Sequence, residues 1–183
     1  MHLCRLTEQV VFTDPYYPAP PNRHTTPHLD ADVAALRADS DLTRRVFALK
    51  RLFMHSRESL LHGDLHTGSF MATPTSTFVL DAEFAFVGPM GFDVGAVLAN
   101  LLLAFFAADG LEAEEGGGGA GRGAQRAWLL RALVEVWERF AEESTGVLER
   151  EGRGDALPEA VYGAGKPSCA CRGARAVAVW VCV

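Results

Sequence analysis

Two stretches decide how this chain is read: His62-Gly63-Asp64-Leu65-His66-Thr67-Gly68-Ser69, and Asp81-Ala82-Glu83-Phe84-Ala85-Phe86-Val87-Gly88-Pro89-Met90-Gly91-Phe92-Asp93. Together they carry Asp64, Ser69, Asp81 and Glu83 on two loops, with the apolar segment Phe70 to Leu80 between them. Phosphoryl transfer asks for such a set. It needs an acidic group to orient the attacking hydroxyl and accept its proton, and oxygen ligands for magnesium ions that neutralise charge between phosphates. Asp64 follows Gly63, which permits a tight backbone, and is the candidate base. Asp81 and Glu83 stand two apart after a strand, so both face one cleft if the backbone turns just after Asp81. The ordinary alternatives are a turn aspartate and a solvated acidic pair at a strand end.

Outward from these loops the pattern is mostly helical. Leu3, Leu6, Val10 and Val11 share one helical face, and Asp14-Pro15 ends that segment. Residues 15 to 28 hold five prolines and form a surface loop. A helix from about Ala31 to Ala38 follows, with Asp30 as its cap. A second runs from Asp41 to Glu58 behind Ser40, with the stripe Leu42, Val46, Leu49 and Phe53. Leu60-Leu61 leads into the first loop, and Phe70 to Ala72 and Phe78 to Leu80 read as a hairpin carrying Ser69 at one end and Asp81 at the other. After the Gly88-Pro-Met-Gly91 turn, Phe92 to Ala107 is a nearly all-apolar helix, expected to be enclosed on every side.

The motifs resemble the catalytic and metal-binding loops of the aminoglycoside-phosphotransferase-like kinases. The longer wording through Gly88-Pro-Met-Gly-Phe-Asp-Val-Gly95 is similar to the methylthioribose kinases within that family. The likeness also takes in Leu3 to Tyr16 and Asn100-Leu-Leu-Leu-Ala-Phe-Phe-Ala-Ala-Asp-Gly110. It is good over residues 3–110, weak to about 162 and absent afterwards. It implies an α/β, mostly α fold: the C-terminal large lobe of a protein-kinase-like enzyme with a small catalytic β-hairpin, Met1 falling where that lobe is already under way. On that likeness the small lobe, with its glycine-rich phosphate loop and lysine, is not expected among these 183 residues.

The implied reaction transfers the ATP γ-phosphoryl to the 1-hydroxyl of 5-methylthioribose in methionine salvage, with Mg2+ as cofactor and ATP as co-substrate. Carried over residue by residue, Asp64 is the base and Asp81, Glu83 and Ser69 are the metal ligands. Ser69 stands where most related kinases place asparagine, and the methylthioribose kinases are similar to this chain in having serine there. His62 and Gly63 shape the loop, Asp93 accepts hydrogen bonds from its backbone, and His66 is a loop stabiliser or a substrate-pocket residue. The family also implies a homodimer. Its Arg-Arg pair, which grips the sugar, is not reproduced by Arg172 and Arg175. A chain lacking the phosphate-gripping half is expected to be inactive alone, and a non-catalytic kinase-lobe binding protein or relic is the competing reading. A metal-dependent hydrolase built on His62, Asp64 and His66 is a third, for which no later His or Cys cluster completes a ligand sphere.

Composition sets the remaining bounds. The chain has 183 residues, 49% of them apolar, enough for one domain. A net charge of −6 disfavours a nucleic-acid or anionic-membrane surface. No basic-then-apolar leader opens the sequence, the longest apolar run falls short of a bilayer span, and the expected location is cytoplasmic. Cys4, Cys169, Cys171 and Cys182 read as reduced thiols rather than a disulfide or zinc framework. The expected division is a core of residues 1–110, a Gly-rich linker at 111–124, a helical continuation at 125–162 and a divergent tail at 163–183. The linker is not read as a phosphate cradle, because no strand precedes it and no P-loop lysine follows.

Overall fold

The computed structural model describes residues 2–18, 22–114 and 119–151. Helix α1 (His2–Glu8) widens into a π-helical turn at Gln9–Thr13 and closes with a 3-10 turn at Asp14–Tyr16. Pro15 sits in the first turn of that last segment, where its missing N–H leaves nothing unbonded. The widening breaks the 3.6-residue phase. Val10 and Val11, expected to share one helical face with Leu3 and Leu6, are therefore turned outward; Leu6 is exposed too, while Cys4 and Thr7 face inward.

Helices α2 (Asp30–Ala38) and α3 (Ser40–His55) meet at Asp39, whose carboxylate accepts from the amides of Asp41 and Leu42, both at 2.9 Å. Asp39 rather than Ser40 is thus the cap. Asp30, expected to cap α2, instead pairs with His24 Nε2 at 2.9 Å. Of the expected stripe on α3, Val46 and Phe53 are buried. The helix stops at His55, short of the expected Glu58. Glu58 donates its amide to the Gly88 carbonyl at 3.1 Å and accepts from the Met90 amide at 3.0 Å, so it already belongs to the next element.

Two antiparallel pairs follow, where the sequence showed one. Strands β2 (Phe70–Ala72) and β3 (Thr77–Val79) form the expected hairpin, with Phe70 opposite Val79 and Ala72 opposite Thr77. Strands β1 (Ser59–Leu61) and β4 (Phe86–Gly88) pair with Ser59 opposite Gly88 and Leu61 opposite Phe86. The β2–β3 pair is joined by a short turn that marks it in the sequence, whereas β1 and β4 are separated by residues 62–85 and no local pattern announces their pairing. This second pair matters for the site: the His62–Ser69 loop leaves β1, and the Asp81–Glu83 turn enters β4 by way of Phe84 and Ala85.

Two apolar clusters hold these parts. Phe53 is fully buried among Cys4, Leu61 and Phe86, and its ring lies 5.0 Å from those of Phe12 and Phe92 and 5.6 Å from that of Phe86. Such contacts favour tilted rings. The second cluster joins helix α4 (Gly91–Glu114) to helix α5 (Gly119–Glu151) through Val97, Leu101 and Leu129, with Leu65 and Phe70 packed against them. Helix α4 is not enclosed as expected: Leu103 is 68% and Phe106 67% exposed. Its stretch Gly91–Ala108 is long and apolar enough to cross a membrane, yet the buried Asp93 on it faces the His62 loop, and Val97 and Leu101 pack with Leu129 of α5. The expected 111–124 linker is helical on both sides, since α4 runs to Glu114 and α5 starts at Gly119. Each glycine costs a helix about 1 kcal/mol, and packing between the two helices offsets it. The 163–183 tail, with Cys169, Cys171 and Cys182, lies outside the described residues.

Candidate active site

The His62–Ser69 loop is fixed at several points. Both oxygens of the buried Asp93 carboxylate, from the first turn of α4, accept its leading amides: His62 N at 2.6 Å and Gly63 N at 3.1 Å. Such charge-assisted bonds are about twice as strong as neutral ones. Leu65 plugs into the α4–α5 cluster. Ser69 Oγ donates to the Asp64 carbonyl at 3.1 Å, and the Asp64 amide reaches His62 Nδ1 at 3.3 Å. Asp64 is therefore held by its own backbone while its carboxylate stands out from the loop, 55% exposed. A group that must meet a substrate hydroxyl needs that combination of fixed main chain and free side chain.

A second set of contacts joins this loop to the acidic turn. His62 Nε2 donates to the Leu80 carbonyl at 2.7 Å, and the Leu80 amide donates to the Ser69 carbonyl at 2.9 Å. Gly63 adopts φ +87°, and a Cβ there would sit 2.3 Å from the Phe84 carbonyl oxygen, so only glycine lets the loops approach. Just past the hairpin, Asp81 takes the left-handed conformation at φ 67°, which aspartate tolerates better than most residues. The chain turns there, and Ala82–Phe84 forms a 3-10 turn that presents Glu83. Asp81 and Glu83 are both exposed, and neither carboxylate has a hydrogen bond or ion pair among the described residues.

Among the described residues no three His, Cys, Asp or Glu side chains converge tightly enough to cage a metal. Exposed carboxylate oxygens without protein partners nevertheless suit magnesium, which keeps waters and takes one or two carboxylates plus phosphate oxygens. Ser69 fits that role less well than expected. It is only 5% exposed and its hydroxyl proton is committed to the Asp64 carbonyl, so it acts on the loop's shape. The hydrolase reading loses one of its three ligands, His62, for a related reason. Both ring nitrogens of His62 are engaged with main-chain groups. His66 Nδ1 accepts from the Gly68 amide at 3.0 Å, which leaves Nε2 facing the Asp64 carboxylate at 3.7 Å.

Sequence reasoning missed Asn100. From α4 its Oδ1 receives the Thr67 hydroxyl at 3.1 Å and the Thr67 amide at 3.5 Å. The available signal was a lone amide interrupting an apolar helix seven residues after Asp93. A cavity of about 520 Å³ lies elsewhere, between the end of α1 and helices α2 and α3, lined by Phe12, Tyr16, Arg37, Phe47 and Lys50 among others. No residue of the two loops lines it. Its Lys50 is paired with Glu8 at 2.6 Å and donates to Thr13 at 2.7 Å.

Comparison with known proteins gives a consistent picture. The profile of the phosphotransferase enzyme family, APH, matches residues 2–145. The chain is 44% identical over 171 residues to a protein named methylthioribose kinase 1 from Oryza sativa subsp. japonica, an alignment covering 92% of this chain and 39% of that protein. It is 41% identical over 160 residues to one named methylthioribose kinase from Escherichia coli O45:K1, covering 87% and 37%. The chain thus spans less than two-fifths of the length of these relatives.

Proposed function

Because the chain belongs to the phosphotransferase enzyme family, we propose that it forms the catalytic part of a methylthioribose kinase, passing the γ-phosphoryl of ATP to the 1-hydroxyl of 5-methylthioribose in the cytoplasm. The observation that carries the reading is the Asp64 carboxylate, exposed on a loop whose backbone Asp93 clamps, and joined to a turn bearing two unpartnered carboxylates. Asp64 orients the sugar hydroxyl and takes its proton as the oxygen attacks phosphorus. Asp81 and Glu83 would hold the magnesium, Asp81 contributing more and Ser69 least. When bound, the ion neutralises charge on the transferring phosphates.

Positioning dominates phosphoryl transfer, so the groups that grip the phosphates decide whether chemistry occurs. The one lysine among the described residues, Lys50, is occupied by Glu8 and Thr13 at the contact of α1 with α3. We therefore expect residues 1–183 by themselves to give no useful turnover. The same residues, exchanged for the matching segment of the rice relative in a full-length chimaera, should be active. A coupled assay for ADP release, with and without 5-methylthioribose, tests both statements. Sugar-dependent turnover by the chimaera supports the proposal; a chimaera that folds, binds nucleotide and leaves methylthioribose untouched overturns it. Robust turnover by residues 1–183 alone would overturn the expectation about the short chain.

A further inference from the structure

Asp93 and Asn100 lie seven residues apart on α4, two helical turns or about 10.5 Å along its axis. They therefore project from the same side, and both reach the His62–Ser69 loop. Asp93 takes the amides of His62 and Gly63 at its start. Asn100 takes the hydroxyl and the amide of Thr67 near its end. Between them Leu65 packs against the buried cluster of Val97, Leu101 and Leu129, whose two α4 members lie between the polar residues or one position beyond. The helix thus grips the loop at three successive levels, and Asp64 falls inside the gripped span.

The amide chemistry of Asn100 explains the residue type. Its Nδ2 donates to the Ala96 carbonyl one turn back at 3.2 Å. That bond turns Oδ1 toward the loop, where Thr67 offers two donors and no competing acceptor is needed. Leucine, the commonest neighbour on this stretch of helix, supplies no acceptor, and the Thr67 amide would lose its partner. A half-buried amide in an otherwise apolar helix is costly to keep unless it is bonded on both sides, as it is here.

We propose that Asn100 is a positioning residue for the phosphoryl transfer assigned above: through Thr67 it sets the far end of the loop and so the reach of the Asp64 carboxylate. It touches neither substrate nor metal. The inference rests on the proposed kinase activity, so its test carries one readout that does not need turnover.

The variant is Asn100→Leu, which keeps side-chain size and improves helix propensity, so that folding is retained. In residues 1–183, amide exchange at Thr67 should accelerate while His62 and Gly63, held by Asp93, stay protected. In the full-length chimaera, kcat for sugar phosphorylation should fall by about 10-fold, since small misplacements near the chemistry have effects up to 10²-fold, with KM for nucleotide and melting temperature unchanged. Asn100→Asp keeps an acceptor for Thr67 but loses the donor to the Ala96 carbonyl, so it should restore only part of kcat. Unchanged exchange at Thr67, or unchanged kcat in a chimaera whose unsubstituted form is active, overturns the inference. An inactive unsubstituted chimaera with the expected exchange pattern instead counts against the kinase reading and leaves the tether standing.

Discussion

The two acidic loops meet but are built on opposite terms. The His62–Ser69 loop is tied down along most of its length, by Asp93, by the α4–α5 core, by Ser69 and by Asn100. The Asp81–Glu83 turn has an unusual backbone at Asp81 and carboxylates with no partner among the described residues. The difference follows from what each must meet. A base acts on a hydroxyl within a few tenths of an ångström, so its main chain is set before substrate arrives. Metal ligands gain their order from the ion, and prior hydrogen bonds would compete with it. Substitutions at the tied-down residues of the first loop should therefore show in folding and geometry, and those in the second only when magnesium and nucleotide are present.

The largest separation is expected at Asp81. Asp81→Asn keeps a residue that tolerates the left-handed backbone and removes the charge. In the full-length chimaera it should lower magnesium-dependent nucleotide affinity by about 10²-fold while changing stability by no more than about 0.5 kcal/mol, as surface substitutions do. Glu83→Gln should cost less affinity and Ser69→Ala least. Titration calorimetry ranks the three, and a ranking headed by Ser69 would reverse the division of labour between the loops.

Gly63→Ala is the converse probe. Its Cβ would lie 2.3 Å from the Phe84 carbonyl on a backbone that L-residues resist, so the loops must part. We expect a loss on the order of 3 kcal/mol of folding stability, combining overpacking and left-handed strain. Thermal unfolding of residues 1–183 measures it, and a stability change under about 0.5 kcal/mol would show that the loops are not in contact there.

The smallest effect concerns neither loop and serves as the control. Glu8 would be raised by burial, but hydrogen bonds from Lys50 and Thr13, with the charges of Lys50 and Arg5, outweigh this and hold it below the usual carboxylate range. A depressed carboxylate contributes stability above its unfolded pKa and loses it as pH falls through the folded one. Lys50→Met should thus cost about 1 kcal/mol near neutral pH, with the difference from the unsubstituted chain vanishing in acid. Denaturant unfolding across pH reads it out, and nucleotide affinity should not change.

The fold was legible where one chemical pattern ran for several turns. Helix α3 and the apolar stretch of α4 announced themselves by period and composition, and the β2–β3 hairpin by its turn residues. What escaped depends on contacts between distant residues. The β1–β4 pair needs Leu61 opposite Phe86, which neither segment encodes alone. The π-helical turn after Glu8 moved Val10 and Val11 outward, and packing carried helix through glycines that argue for a linker. At the site, the loops were visible because aspartates, histidines and glycines are compressed into a short motif. Asn100 was not, since its role appears only when α4 is laid beside Thr67.

The central claim is that Asp64 is the base of a phosphoryl transfer, and Asp64→Asn tests it most directly. The substitution preserves shape and the exposed side chain makes no bond on which folding depends, so the variant chimaera should melt with its parent and bind magnesium and nucleotide as well. Steady-state turnover of 5-methylthioribose should nonetheless fall by on the order of 10²-fold or more, the usual size of a general-base contribution. Turnover within a few-fold of the parent would contradict the account.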